Sequence, residues 1–195
     1  LGVWLSFGSA QAATIAVNPD QALIELSGAL EYLEDPSRNL GLEQVMAETT
    51  WQSANGDTPS MGLTQSAYWF RITLDYAHGT APLERILEID YRDLEKVHLW
   101  FLTEGDPTPE AFVTGSVLPM TQRPILAATF AIPIEFEPGK PVQVVIRSVA
   151  EDALIVPLLL WNAQNFHEKE RSQRLFEGCY YGILLVMFFY NAFLL

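Results

Sequence analysis

Hydrophobic and polar residues alternate with a period of two over much of the chain after Ser66. Successive side chains of a strand point to opposite faces, so this alternation predicts strands with one face in a core. No long amphipathic helix separates the segments, which favours antiparallel pairing. The predicted strands are residues 67–76, 83–91, 96–103, 112–117, 129–136, 142–149 and 153–161. The pattern predicts an all-β protein, an antiparallel β-sandwich of jelly-roll type.

The last eighteen residues, 178–195, contain no charged residue. As a helix they reach about 27 Å, close to the hydrocarbon thickness of a bilayer. A buried helix of a soluble protein would carry a polar stripe, and here only Asn191 interrupts the apolar run. The run therefore predicts a first transmembrane helix that is cut short, with Asn191 seeking a partner on another membrane helix.

The segments on either side of the predicted sandwich divide the chain further. Residues 1–13 end in Ala10-Gln11-Ala12, which predicts a signal peptide remnant cleaved after Ala12, with a first core strand as the alternative. A helical turn or two is predicted at 40–46. Asn162 is the predicted N-cap of a helical juxtamembrane linker at 166–177, supported by Glu170 and Arg174. Residues 14–165 then form one domain, outside the cytoplasmic membrane.

The charge is concentrated in that domain. The formal net charge of the chain is −13, and residues 14–165 account for all of it, since they contain 8 Lys and Arg against 21 Asp and Glu. An acidic domain repels phosphate groups, so nucleic-acid binding and tight docking on anionic lipid are both disfavoured. The single cysteine, Cys179, lies in the apolar run, so no disulfide framework is predicted.

The same alternation assigns side chains to faces. The predicted core side carries Tyr68, Phe70, Ile72, Leu74, Leu87, Ile89, Val97, Leu99, Phe101, Val144 and Ile146. If the strands lie in one sheet, the opposite face presents Trp69, Arg71, Glu88, Asp90, His98, Trp100 and Arg147. Flat aromatic rings among planar hydrogen-bonding groups suit a sugar or another small polar ligand. The alternative is that the N-terminal segment covers the two tryptophans and that Arg71 pairs with Glu88 or Asp90.

One further arginine lies in a predicted loop, in the sequence Gln122-Arg123-Pro124. A residue before proline is held extended, so Arg123 could project towards a ligand or pin its own loop.

Six segments follow one another in a recognisable order. They are YWFR at 68–71, LEIDY at 87–91, QRPI at 122–125, the strand at 142–147, PLLLWNAQNF at 157–166 and YYGILLVMFFYN at 180–191. In this order they resemble the second type of extracellular domain of the bacterial seven-transmembrane receptors with diverse intracellular signalling modules, followed by the first membrane helix. The resemblance implies a periplasmic jelly-roll domain similar to carbohydrate-binding modules, in the inner membrane, with a cytoplasmic kinase or cyclase output.

Three functions compete at this point. The first is a sensory domain for a small polar ligand, in which residues 14–177 lie in the periplasm. The second is a protein-interaction module of a membrane-anchored protein, which could form a homodimer through a sheet edge. The third is a tethered glycosidase that uses Glu88 and Asp90, but paired acids on a strand are usually a solvated face, so no enzyme is predicted. The sequence indicates no cofactor and no metal site.

Overall fold

The computed structural model describes residues 13–105, 108–149 and 153–194. The predicted signal peptide, with its cleavage after Ala12, lies outside these residues except for Ala13.

Strands dominate the described residues, and a long helix follows them. The strands are β1 (Thr14–Ala16), β2 (Leu23–Glu25), β3 (Glu31–Asp35), β4 (Gln52–Ser53), β5 (Ser60–Leu63), β6 (Ala67–Asp75), β7 (Leu83–Ile89), β8 (Lys96–Thr103), β9 (Glu110–Thr114), β10 (Phe130–Phe136), β11 (Val142–Val149), β12 (Ala153–Ile155) and β13 (Leu158–Asn162). The α-helices are α1 (Leu42–Ala47) and α2 (Ala163–Leu194).

Two sheets pack face to face. Sheet 1 has the order β4-β3-β6-β11-β8-β9, with β1 parallel to the end of β6, and sheet 2 has the order β10-β7-β13-β2. A small third sheet pairs β12 with β5. The main core lies between sheets 1 and 2, where Phe70, Leu99 and Ile146 of sheet 1 share one cluster with Leu87 and Ile132 of sheet 2. The predicted antiparallel β-sandwich is confirmed.

The predicted core side of the strands is confirmed as well. Every residue predicted for the core side lies in this main buried cluster. The period-two pattern succeeds because each long strand has the sandwich core on one side.

Two strand boundaries differ from the prediction for local reasons. Segment 153–161 forms two strands instead of one, and Pro157, which has no N–H to donate to a sheet, lies between them. β9 ends at Thr114 rather than at 117, because Gly115 has a φ of 151°, which other residues rarely adopt. A Cβ at Gly115 would lie 2.0 Å from the Glu95 carbonyl oxygen.

The helical predictions are confirmed. α1 (Leu42–Ala47) corresponds to the turn predicted at 40–46, and α2 runs for 32 residues from the last strand through the apolar run. Asn162 caps α2, since its Oδ1 accepts a hydrogen bond from the Gln164 N–H at 2.9 Å. Glu170 and Arg174 pair at 3.3 Å. Among the described helices, α2 is the one long and apolar enough to cross a membrane.

Candidate functional site

A row of aromatic rings crosses the outer face of sheet 1. The ring centres of Trp69 and Trp100 are 5.4 Å apart, and the two ring planes are nearly parallel, with an angle of 17° between them. His98 continues the row, with its ring centre 5.7 Å from that of Trp100 at 16°. Arg147 on β11 is in register with Trp69 on one side and His98 on the other, and its guanidinium lies 5.8 Å from the centre of a Trp69 ring. The structure therefore brings four of the predicted residues together.

A covering segment, residues 40–51 with α1 inside it, lies over one end of this row. Val45, Trp69 and Val145 form a small buried cluster, against which Leu42, Met46 and Trp51 pack. Trp69 is only 1% exposed, whereas Trp100 and His98 are partly exposed. The predicted alternative of covered tryptophans thus applies to Trp69, and the rest of the row is open to solvent.

Arg71 is a structural residue of the same face. It is 4% exposed, and its Nε donates to a Glu31 carboxylate oxygen at 2.7 Å. Its guanidinium also lies 4.2 Å from the centre of a Trp51 ring, and the electron-rich face of this ring attracts the positive charge. The predicted pairing of Arg71 with Glu88 or Asp90 is wrong, because Glu31 on the neighbouring strand β3 is directly opposite Arg71 in the register.

A tight turn after β3 holds the covering segment in place. The buried Asp35 carboxylate accepts hydrogen bonds from Ser37 Oγ at 2.6 Å and from the Leu40 N–H at 3.1 Å. Burial raises the pKa of Asp35, but the bonds that its carboxylate accepts, with those from Ser37 and the Leu40 N–H foremost, outweigh this effect, and the pKa is lowered. Arg38 has a φ of 59°, and its carbonyl accepts a bond from Arg147 Nη2 at 2.8 Å. Arg147 thereby joins the aromatic row to the turn.

His98 lies in a locally positive environment within an acidic domain. Its pKa is lowered from the ordinary 6.5, first by burial and then by the charges of Lys96 and Arg147. Its imidazole is therefore neutral at pH 7, so one ring nitrogen can donate a hydrogen bond and the other can accept one.

The placement of Glu88 and Asp90 on the same face as the aromatic row is wrong. Their strand, β7, pairs with β10 and β13, and its outer side points away from sheet 1. Glu88 has no exposed surface and accepts hydrogen bonds from Trp161 Nε1 at 2.6 Å and from Thr129 Oγ1. Lys169 Nζ lies 2.7 Å from both of its oxygens, and Asp90, which is exposed, lies 3.8 Å from the same nitrogen.

The first turns of α2 dock on the outer face of sheet 2 around this ion pair. Phe166 is fully buried against Ile86, Ala127 and Ala131. Its ring packs edge-on against Trp161, with ring centres 6.5 Å apart. Phe166 and Lys169 are three residues apart in the sequence, and this spacing puts both on one helix face. The spacing could have indicated that this face of α2 contacts the domain.

Arg123 pins its own loop, the second of the two roles predicted for it. Its guanidinium lies 4.8 Å from the Phe130 ring centre, and Nη1 donates to the Ala127 carbonyl at 3.2 Å. Across residues 13–105, 108–149 and 153–194, no three His, Cys, Asp or Glu side chains are grouped as metal ligands would be.

The last strand of this two-sheet β domain leads directly into a long helix whose second half is free of charged residues, which fits a membrane-anchored domain. Residues 27–162 match a family described as 7TMR-DISM extracellular 2. The chain belongs to this family of receptor extracellular domains. The sensor-domain resemblance of the sequence is confirmed.

No curated protein matches the chain. Among solved structures, the tryptic core of a Cry1Da variant from Bacillus thuringiensis is similar at 11% identity with a TM-score of 0.32. The match covers 77% of this chain and 24% of that one.

Proposed function

We propose that this chain is the ligand-sensing part of a bacterial membrane signalling receptor. Residues 14–165 form a jelly-roll domain, 166–177 a linker and 178–195 the first membrane helix, with residues 14–177 in the periplasm and the helix in the inner membrane. The family match supports a receptor sensor domain. The two-sheet sandwich with mostly antiparallel pairing supports the jelly-roll assignment.

The ligand is a carbohydrate or another small polar molecule that lies on the open end of the aromatic row. The observation that carries this proposal is the parallel stacking of Trp100 and His98 beside Arg147. A sugar can pack its CH groups against the part of Trp100 that its two stacked neighbours leave exposed, while the His98 imidazole and the Arg147 guanidinium offer hydrogen bonds to its hydroxyls. Trp69 supports Trp100 from beneath the covering segment and does not itself need to be reached.

The signal leaves the domain through α2. The helix is continuous from the last strand of sheet 2 into the apolar run, and its first turns are fixed by Phe166 and Lys169. A ligand that shifts sheet 1 against sheet 2 would move this helix end, and further membrane helices would pass the movement to a cytoplasmic kinase or cyclase module.

Titration of the chain in lipid nanodiscs with glucose, N-acetylglucosamine and galacturonate tests the ligand class. Chemical shifts of the tryptophan indole groups report the contact. We expect shifts at Trp100 and at its stacked neighbour Trp69, and we expect the Trp69 shift to be lost in Trp100→Ala and kept in Lys140→Ala, a change in a distant exposed turn. Absence of shifts with all three sugars, or shifts that survive in Trp100→Ala, would contradict the proposal.

A second candidate function is docking of a partner protein, or of a second copy, on the edge of sheet 1. β9 is the last strand of that sheet, and its Val113 side chain is exposed. An unpaired strand edge offers backbone hydrogen bonds to another strand. Sedimentation of the chain with and without Val113→Lys distinguishes the two candidates, since only edge pairing predicts a dimer that the added charge disrupts.

A further inference from the structure

An exposed apolar edge lies beside α2 just before the helix enters its charge-free run. The edge has two parts, the loop at residues 118–128 and the helix surface around residue 175. Met120 and Leu126 on the loop are 53% and 63% exposed. Leu175 and Phe176 on the helix are 68% and 73% exposed. Leu175 and Phe176 do not line the groove between the loop and the helix, so the two parts share a depth along α2 and are not one continuous patch.

Two contacts place the loop beside the last polar turn of α2, at the same position along the helix axis. Arg174 Nη2 donates to the Leu126 carbonyl at 3.2 Å. Met120 and Leu126 also line a groove of about 380 Å³ together with Gln173 and Glu177 of the helix. Glu177 is the residue directly before Gly178, where the run without charges begins.

The distances match the interfacial layer of a bilayer. Arg174 precedes Gly178 by four residues, which is about 6 Å along a helix. The headgroup region on each side of the hydrocarbon core is roughly 5–7 Å thick. If the hydrocarbon begins near Gly178, then Leu126, Met120, Leu175 and Phe176 all lie at headgroup depth.

We propose that this edge is a lipid-docking surface, which rests in the headgroup layer of the leaflet that α2 enters. The occupant is the bilayer that holds the helix, because the loop is fixed to the helix by Arg174 and cannot avoid that layer while α2 spans it. The acidic net charge of the domain is not repeated at this edge, since Arg171 and Arg174 balance Glu170 and Glu177, the two carboxylates that line the groove. The inference depends on the membrane helix and not on the identity of the ligand.

The opposite end of the sandwich gives a matched control. The loop at 118–128 precedes β10, and the turn at 137–140 follows it, so the two lie at opposite ends of a seven-residue strand. Such a strand is about 23 Å long. Lys140 in that turn is about as exposed as Met120, with 55% of its side chain accessible.

The test uses the 195-residue chain in nanodiscs, with Cys179→Ser and one new cysteine carrying an environment-sensitive fluorophore. The labelled positions are Leu126→Cys, Phe176→Cys and Lys140→Cys, and the nanodiscs contain lipids spin-labelled near the headgroup. We expect blue-shifted emission and strong quenching at position 126, similar to that at 176, and neither at 140. All three replaced side chains are exposed, so the fold should tolerate each change.

Three outcomes would overturn the proposal. Emission at 126 equal to that at 140 would mean that the loop stays in water. A blue shift at 126 without quenching would mean that protein, such as a second copy, covers the edge. Failure of quenching at 176 would mean that α2 enters the bilayer further along than Gly178.

Discussion

Lys169 Nζ lies 2.7 Å from both carboxylate oxygens of Glu88, a side chain with no exposed surface. One partner belongs to the central part of sheet 2 and the other to the helix that leads into the membrane. This ion pair, with Phe166 beside it, makes the start of α2 part of the folded domain rather than a free linker.

Replacing Lys169 with methionine should therefore destabilise the domain. The substitution keeps most of the side-chain volume but leaves the buried Glu88 charge without its counter-ion, at a cost of about 3–5 kcal/mol. Because Lys169 remains 26% exposed, we expect the lower end of that range. Urea unfolding of residues 14–177 measures the loss. Lys140→Met removes the exposed pair with Glu137 and should cost less than about 1 kcal/mol, so equal losses in the two variants would contradict a special role for Glu88.

The end point of an isolated domain should matter for the same reason. A fragment of residues 14–165 lacks both Phe166 and Lys169, so it exposes the surface of Ile86 and Ala131 and leaves Glu88 unpaired. We expect it to unfold at a clearly lower temperature than residues 14–177, because burial of one Phe side chain alone contributes about 1.5–3 kcal/mol. Calorimetry of the two fragments compares them directly. Identical unfolding temperatures would show that α2 adds nothing to the fold.

Arg71→Ala and Trp100→Ala should separate structure from binding on the outer face of sheet 1. Arg71 is buried, paired with Glu31 and stacked on Trp51, so its loss should cost about 3–5 kcal/mol. Trp100 is partly exposed, and its two stacking contacts contribute about 0.5–1.5 kcal/mol each. Thermal unfolding should thus fall further for Arg71→Ala. The reverse order would mean that Trp100 is the main structural residue of this face.

His98 should make stability fall as the pH drops below 6.5, the ordinary pKa of histidine. Its pKa is lowered in the folded state by burial and by Lys96 and Arg147, so the unfolded chain binds more protons in this range. This contribution to stability is fully present above the ordinary pKa of 6.5 and is lost as the pH falls from there through the folded pKa. The slope for one proton is at most about 1.4 kcal/mol per pH unit.

The matched variant for this measurement is His98→Gln, which cannot titrate. Urea unfolding at pH 7 and pH 5.5 should give a larger drop for the wild-type chain than for His98→Gln. Lys96→Gln should reduce the drop, because it removes one of the charges that lower the His98 pKa. An equal drop in the wild type and His98→Gln would show that other groups dominate this range.

The strands that could be predicted are those whose own sequence alternates. β8 and β11 match their predicted bounds, and β6 differs by one residue, since long strands against a core repeat the period-two pattern several times. The strands β1 to β5 were not predicted. They have two to five residues, too few to show a period, and exist because β6, β12 and β13 pair with four of them and β3 pairs with β4.

The distribution of strands between the two sheets could not be predicted either. Alternation shows on which side of a strand Glu88 lies, but it does not show that β7 pairs with β13 rather than with β8. Such pairing joins residues 78 positions apart in the case of Trp69 and Arg147, and it depends on how whole strands fit together. For this reason the candidate site contains Trp69, His98, Trp100 and Arg147 as predicted, while Glu88 belongs to the helix contact.

The contact between the start of α2 and sheet 2 fixes how the rest of that helix is oriented about its axis. Asn191 is 25 residues beyond Phe166, and at about 100° per residue the two positions lie within roughly 20° of the same direction. Asn191 therefore lies on the same side of α2 as Phe166, the side that contacts sheet 2 outside the membrane. The Asn191 Nδ2 donates a hydrogen bond to the Met187 carbonyl at 2.8 Å. If the helix stays straight, a rotation of the start of α2 about its axis rotates Asn191 by the same angle. Such a rotation would change the direction in which the Asn191 amide faces within the membrane.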